Sequence, residues 1–176
     1  MSSNINDFIA SFKGGARANR FRIGITWPGL VGTPNVTDEI IVHAGSMPES
    51  QLGVVQVPYK GRQIPVPGDR TFAAWTITCL NDTTFSHRNS FERWSNLILS
   101  HESNVQSTSS YRDYVCTIDV VQLDRDDTIL KSIKLLNAFP TNISQVDLGY
   151  NNNDTIEEYT VTFDYTHWTT PDSPTS

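Results

Sequence analysis

SMPESQLGVVQVPYKGRQIPVPGDRTFAAWTITCLND, residues 46–82, is built of strands and tight turns. Val54 to Val57 and Gln63 to Val66 are two short β-type runs flanking the turn Tyr59-Lys60-Gly61-Arg62. Gly68-Asp69-Arg70 reads as a second turn, feeding a long strand from Thr71 to Leu80 that stops at Asn81-Asp82. Charge sits in the turns, and Trp75, Ile77 and Cys79 share one strand face that can anchor the stretch in a core. None of these residues forms the constellation of a chemical centre.

Outward from this stretch the same period dominates. Arg20 to Trp27 alternates, with Phe21, Ile23 and Ile25 on one side, as a half-buried strand does. Pro28 to Pro34 reads as a loop and Glu39 to Ala44 as a second strand. Asp82-Thr83 offers caps for a helix running to about Ser100, whose Phe91, Trp94, Leu97 and Ile98 form one stripe. A polar loop then precedes three strands. Tyr114 to Leu123 points Cys116, Ile118 and Val120 to one face, and Ile129 to Phe139 is apolar and stopped by Pro140. Glu158 to Trp168 sets Tyr159, Val161, Phe163 and Tyr165 against Glu158, Thr160, Thr162, Asp164 and Thr166, one face to pack and one for water. Near the N-terminus, Ile5, Phe8 and Phe12 share a face of a short helix over 3–12 that Gly14-Gly15 ends. The prediction is a single, mainly β domain over 1–176: an antiparallel β-sandwich or barrel-like fold with one packed α-helix. Residues 1–19 form an N-terminal arm, and 169–176 a flexible C-terminal tail.

At 176 residues the chain can bury about 70 % of its unfolded surface. It has no 18-residue apolar run and no signal-peptide pattern, so neither membrane insertion nor export is expected, and its Asn-x-Ser/Thr matches carry no glycosylation meaning. Cys79 and Cys116 fall within strands and read as buried thiols. The net charge of −6 is unevenly spread. All 13 Lys and Arg residues lie in 1–134, while 135–176 holds only acids: Asp147, Asp154, Glu157, Glu158, Asp164 and Asp172. The N-terminal segment is the reverse, with Lys13, Arg17, Arg20 and Arg22 against Asp7. Such ends suit self-association, or they form an ordinary mixed surface.

Catalysis finds no support. No phosphate loop, dinucleotide fingerprint, HExxH or CxxC occurs, and His43, His87, His101 and His167 lack metal-ligand spacing. His167, in line with an aromatic strand face, reads as a packed core histidine. Asp124-Arg125-Asp126-Asp127 reads as a hairpin turn because it lacks the Gly and terminal Glu of a calcium loop. Nucleic-acid binding by phosphate neutralisation needs a basic stripe, and the longest polar strand face is acidic instead. No cofactor is expected.

The elements SMPES (46–50), YKGRQIPVPGDRTF (59–72), W-x-I-T-x-x-N-D (75–82) and FKGGARANRF (12–21) resemble those of tail tube proteins of contractile-tailed, T4-like bacteriophages. The likeness continues through F-E-R-W-S-N at 91–96, Asn137-Ala138-Phe139-Pro140 and Tyr159-Thr160-Val161-Thr162-Phe163. It implies a β-sandwich virion subunit that closes into hexameric rings. The rings stack into a tube that lies inside a contractile sheath and conducts DNA at ejection. The implied partners are the tail sheath protein, baseplate proteins that initiate the tube, a tape measure protein in the lumen, and DNA in passage. Met47, Pro48, Tyr59, Lys60, Arg62, Asp69 and Arg70, within an extended loop or hairpin over 46–70, become the expected ring-to-ring contact. Phe8, Phe12, Lys13 and Arg17 either dock on a neighbour or cap their own core. Asp119, Glu158, Thr160, Thr162 and Asp164 are expected to line the bore, where carboxylates repel DNA. The tube of a type VI or extracellular injection system has the same architecture, and a free β-sandwich binding module is a third class.

Overall fold

The computed structural model describes residues 4–12, 15–35, 37–106, 110–151 and 153–171. Among them the order is α1 (Ile5–Phe12), β1 (Phe21–Ile25), α2 (Asp38–Ile41), β2 (Val42–Gly45), β3 (Gln51–Tyr59), β4 (Arg62–Thr71), β5 (Trp75–Leu80) and α3 (Ser86–Ile98). A 3-10 turn at Tyr111–Asp113 leads into β6 (Cys116–Leu123), β7 (Ile129–Ile143), β8 (Glu158–Asp164) and β9 (His167–Thr169). Seven strands form one sheet in the order β1-β6-β7-β8-β5-β2, with β9 also paired to β7, and every pairing is antiparallel. β3 and β4 pair only with each other.

The sheet folds over at β7. Ile129–Ala138 pairs with β6, whereas Phe139–Ile143 pairs with β8. Ile133 and Leu135 point into the core, and then Ala138 and Pro140 do. This change of parity requires one extra residue, and Asn137 supplies it with φ of 56° in the left-handed region. Its Nδ2 donates to Thr166 Oγ1 at 3.1 Å, across the short break between β8 and β9. The two halves enclose Ile23, Ile118, Leu135, Trp75, Ile77, Cys79, Val161 and Phe163. α3 adds Phe91 and Trp94, both fully buried, with ring centroids 6.0 and 6.2 Å from Phe163. The far edges also approach: a Cβ on Gly45 of β2 would lie 2.7 Å from Ile23 Cδ1 of β1. The molecule is therefore a sandwich closing towards a barrel, as expected.

Several boundaries differ from the sequence reading. Pro140 does not stop β7, because β6 no longer pairs beyond Ala138 and the missing N–H falls on a free edge. Gly68-Asp69-Arg70 lies within β4 and is not a turn, and the break before β5 comes at 72–74. Residues 38–41 form a helical turn ahead of a shorter β2. The predicted last strand is interrupted at Tyr165-Thr166. His167 is exposed and bonded to Thr166 Oγ1, so it is no core histidine.

The buried histidine is His87. Its Nε2 lies 3.1 Å from Asp38 Oδ1, which also accepts from Trp27 Nε1 at 3.1 Å. Asp38 Oδ2 accepts from the Ile25 N–H at 2.8 Å, so one carboxylate joins α2, β1 and α3. α3 starts later than the expected Asp82-Thr83 cap: its N-cap position is Phe85, in the left-handed region with φ of 52°, while Asp82 Oδ1 still accepts from the Ser86 N–H at 2.9 Å. Burial pushes the Asp82 carboxyl up, but hydrogen bonds from the Thr84 hydroxyl and Ser86 outweigh that and hold it below the ordinary value of 3.8.

Candidate assembly surfaces

The sequence of residues 51–71 dictates a long free hairpin. Lys60 and Gly61 both have positive φ (45° and 80°), as a two-residue turn matched to strand twist requires. A register shift between Leu52 and Val54 sets Gly53 against the Gly68-Asp69 backbone, where a Cβ would lie 3.0 Å from the Asp69 carbonyl oxygen. Val55 faces Val66 and Val57 faces Ile64 on one side; Leu52, Val54, Pro58, Pro65 and Pro67 occupy the other. Both faces are thus largely apolar, with Gln56 and Gln63 as polar members of the second, yet every residue except Gly53 and Gly68 is exposed. A lone two-stranded ribbon is marginal in water, and a contiguous exposed apolar patch marks a binding surface.

The hairpin's base is fastened to the body. Trp75 Nε1 donates to the Ser46 carbonyl at 2.7 Å, and Trp168 Nε1 donates to that of Glu49 at 3.2 Å. Arg70 Nη1 reaches Ser50 Oγ at 3.4 Å. The predicted contact residues therefore divide. Tyr59, Lys60 and Arg62 are exposed at the tip, Lys60 Nζ lying 5.5 Å from the Tyr59 ring centroid. Asp69, Arg70 and Met47 are exposed at the base, roughly 25 Å away along the strand. Pro48 is buried within its own subunit.

The arm carries a second apolar surface. α1 buries no residue; Phe8 and Phe12 are 61 % and 55 % exposed, and their rings stack at 5.2 Å. Among the described residues they therefore do not cap their own core. Arg17 is exposed at its side chain, while its carbonyl and that of Arg20 accept from Gln122 Nε2, each at 2.7 Å. Lys13 lies outside the described residues.

A third surface is the outer face of β8 and β5. Thr76 pairs with Thr162 and Thr78 with Thr160, the first pair's hydroxyls 3.0 Å apart, and Glu158 and Asp164 flank this threonine ladder. Asp119 lies on the other half of the sheet, 3.5 Å from Lys134 on β7, so its charge is matched locally. The five predicted bore residues thus separate into a β8 group of four and an ion-paired Asp119. Sequence spacing gave no sign of Lys134 as its neighbour, because register across β6 and β7 decides it. Among the described residues no group of side chains is arranged to hold a metal ion, and no helix is long and apolar enough to cross a membrane.

Residues 16–171 match the family described as phage tail tube protein. The chain is 30 % identical over 168 residues to the tail tube protein of Serratia phage KSP90, covering 93 % of this chain and 94 % of that one. It is 29 % identical over 167 residues to tail tube protein gp19 of Enterobacteria phage T4, covering 93 % and 98 %. Among solved structures, the sheath/tube terminator of an extracellular contractile injection system superposes with a TM-score of 0.64 at 15 % identity, over 88 % of this chain and 94 % of that chain. The sheath-tube complex of such a system gives 0.58 at 16 % identity, over 96 % and 99 %. These two likenesses concern the fold. The family match and the curated relatives settle membership: this chain belongs to the phage tail tube protein family.

Proposed function

We propose that this chain is the structural subunit of hexameric rings that stack into the inner tail tube of a contractile phage tail, the conduit for DNA at ejection. The observation that carries this reading is the detached hairpin, largely apolar on both faces and fastened only at its base. A monomer gains nothing from such a ribbon, whereas an axially repeated contact covers it at every ring. The 46–70 hairpin makes the ring-to-ring contact, 1–19 is an arm reaching a neighbour, and the terminal tail predicted over 169–176 starts only after Thr169, which pairs with Lys134 in β9. The edge strands β1 and β2 join neighbours sideways within a ring.

The relatives' printed names support a virion role without catalysis. The fold likeness to an injection-system sheath-tube complex is consistent with a sheath around the tube. The threonine and carboxylate face of β8 lines the bore, where weak, hydrated and acidic contacts let DNA and a tape measure protein pass. Assembly takes place in the host cytoplasm.

Arg62 or Arg70 ties the stacked rings by pairing with a carboxylate of the next ring. Truncating both leaves that partner unpaired, at about 2–5 kcal/mol per buried contact. An Arg62→Ala/Arg70→Ala variant with an unchanged denaturation midpoint should give rings but few or no tubes by electron microscopy. Normal tubes from this variant would remove the assignment.

A further inference from the structure

Among the described residues, α1 and the loop between β7 and β8 both expose apolar side chains; basic residues follow α1, and acidic ones flank the loop, where Glu157 Oε2 also accepts from Asn81 Nδ2 at 3.1 Å. Ile5, Phe8, Ile9 and Phe12, at i, i+3, i+4 and i+7, are 55–70 % exposed. An eight-residue helix has little stability in water alone, so its persistence calls for a surface over this stripe. The β7–β8 loop supplies a surface of matching chemistry. Leu148, Tyr150 and Ile156 are 80 %, 105 % and 65 % exposed. Beside them Asp147 and Glu157 line a cleft of about 460 Å³, and no Lys or Arg follows Lys134 in the chain.

Charge chooses between the available apolar surfaces. The hairpin bears Lys60, Arg62 and Arg70 against Asp69, the same sign as the arm with its Lys13 and Arg17 against Asp7; Arg20, just beyond the arm, is already paired with Asp127 at 3.2 Å. The β7–β8 loop bears the opposite sign, through Asp147, Asp154 and Glu157. We propose that α1 of one copy docks into the β7–β8 loop cleft of a second copy. Its apolar stripe lies on Leu148 and Ile156, and the basic end of the arm faces the carboxylates. This contact rests on the assembly reading above. It joins two different patches, so it repeats from copy to copy and does not pair two copies and stop.

Thiol cross-linking tests the contact in the full-length protein. Cys79 and Cys116 are buried, and burial pushes both thiols up, Cys79 to about 12, so background reaction is slow. A Phe8→Cys/Leu148→Cys variant, seeded on isolated baseplates and treated with a short bismaleimide, should give a ladder of dimers and higher multimers on denaturing gels. Each single variant should stay monomeric apart from a trace. Tubes without a ladder, or a link formed only within one chain, overturn the docking and leave the tube reading standing. A ladder without rings or tubes supports the docking and sinks the tube reading; neither ladder nor tubes sinks both. Because Phe8→Cys removes part of the stripe, an Asn4→Cys/Leu148→Cys pair repeats the test with all four apolar residues in place, and the same ladder is expected.

Discussion

Asp38 holds more of the fold together than any residue the sequence marks out. Its carboxylate is 13 % exposed and serves the Ile25 amide, the Trp27 indole and the His87 imidazole. Removing it leaves three largely buried donors without their acceptor, and each orphaned group costs about 1–3 kcal/mol. Neighbours and water recover part of that, so Asp38→Ala should lose about 2–4 kcal/mol in chemical denaturation. Asp38→Asn keeps one acceptor oxygen and should lose less. Equal losses in the two variants would show that the carboxylate's hydrogen bonds are not the cause. Nothing in the local sequence points to this residue, since its partners are contributed by positions 25, 27 and 87, drawn together only when α3 packs on the sheet.

Among the elements, β7 decides the architecture. A straight fifteen-residue strand would keep one parity facing the core and would leave Ala138 and Pro140 pointing outwards. The left-handed residue at Asn137 corrects that and lets the strand pass from one half of the sandwich to the other. Asn tolerates this conformation, whereas a β-branched residue resists it by about 1–2 kcal/mol. Asn137→Val should therefore destabilise by about that amount plus its lost bond to Thr166, while Asn137→Gly should lose only the bond; denaturation midpoints measure both. The Asn-Ala-Phe-Pro stretch was legible as punctuation. Its meaning as a bulge and not a stop depended on which neighbours remain to pair with Phe139 and beyond.

At the scale of the whole molecule the body and its appendages have separate energetics. Among the described residues, the buried apolar side chains all lie in the body, and none belongs to α1, β3 or β4. Deleting residues 1–14 should therefore leave the denaturation midpoint of the unassembled protein unchanged, while assembly on baseplate seeds fails. A fall in the midpoint would mean that the arm packs on its own subunit. On the proposed assembly, the hairpin, the arm and the β7–β8 loop, exposed in one copy, find their stabilising surface on other copies.

The sequence by itself determined the strand content, the inward faces of β1, β5, β6 and β8, the α3 stripe and the two-residue turn at Lys60-Gly61. Each of these follows from a period or a local backbone preference that a few neighbouring residues contain. It also carried the family likeness, because that lies in ordered motifs along the chain. Only the tertiary structure decided that β4 runs through Gly68 to Thr71, that β7 continues past Pro140, that Asp119 is matched by Lys134, and that His87 and not His167 is buried. Those outcomes depend on register and on which strand lies alongside, contacts between residues far apart in sequence that no local pattern encodes.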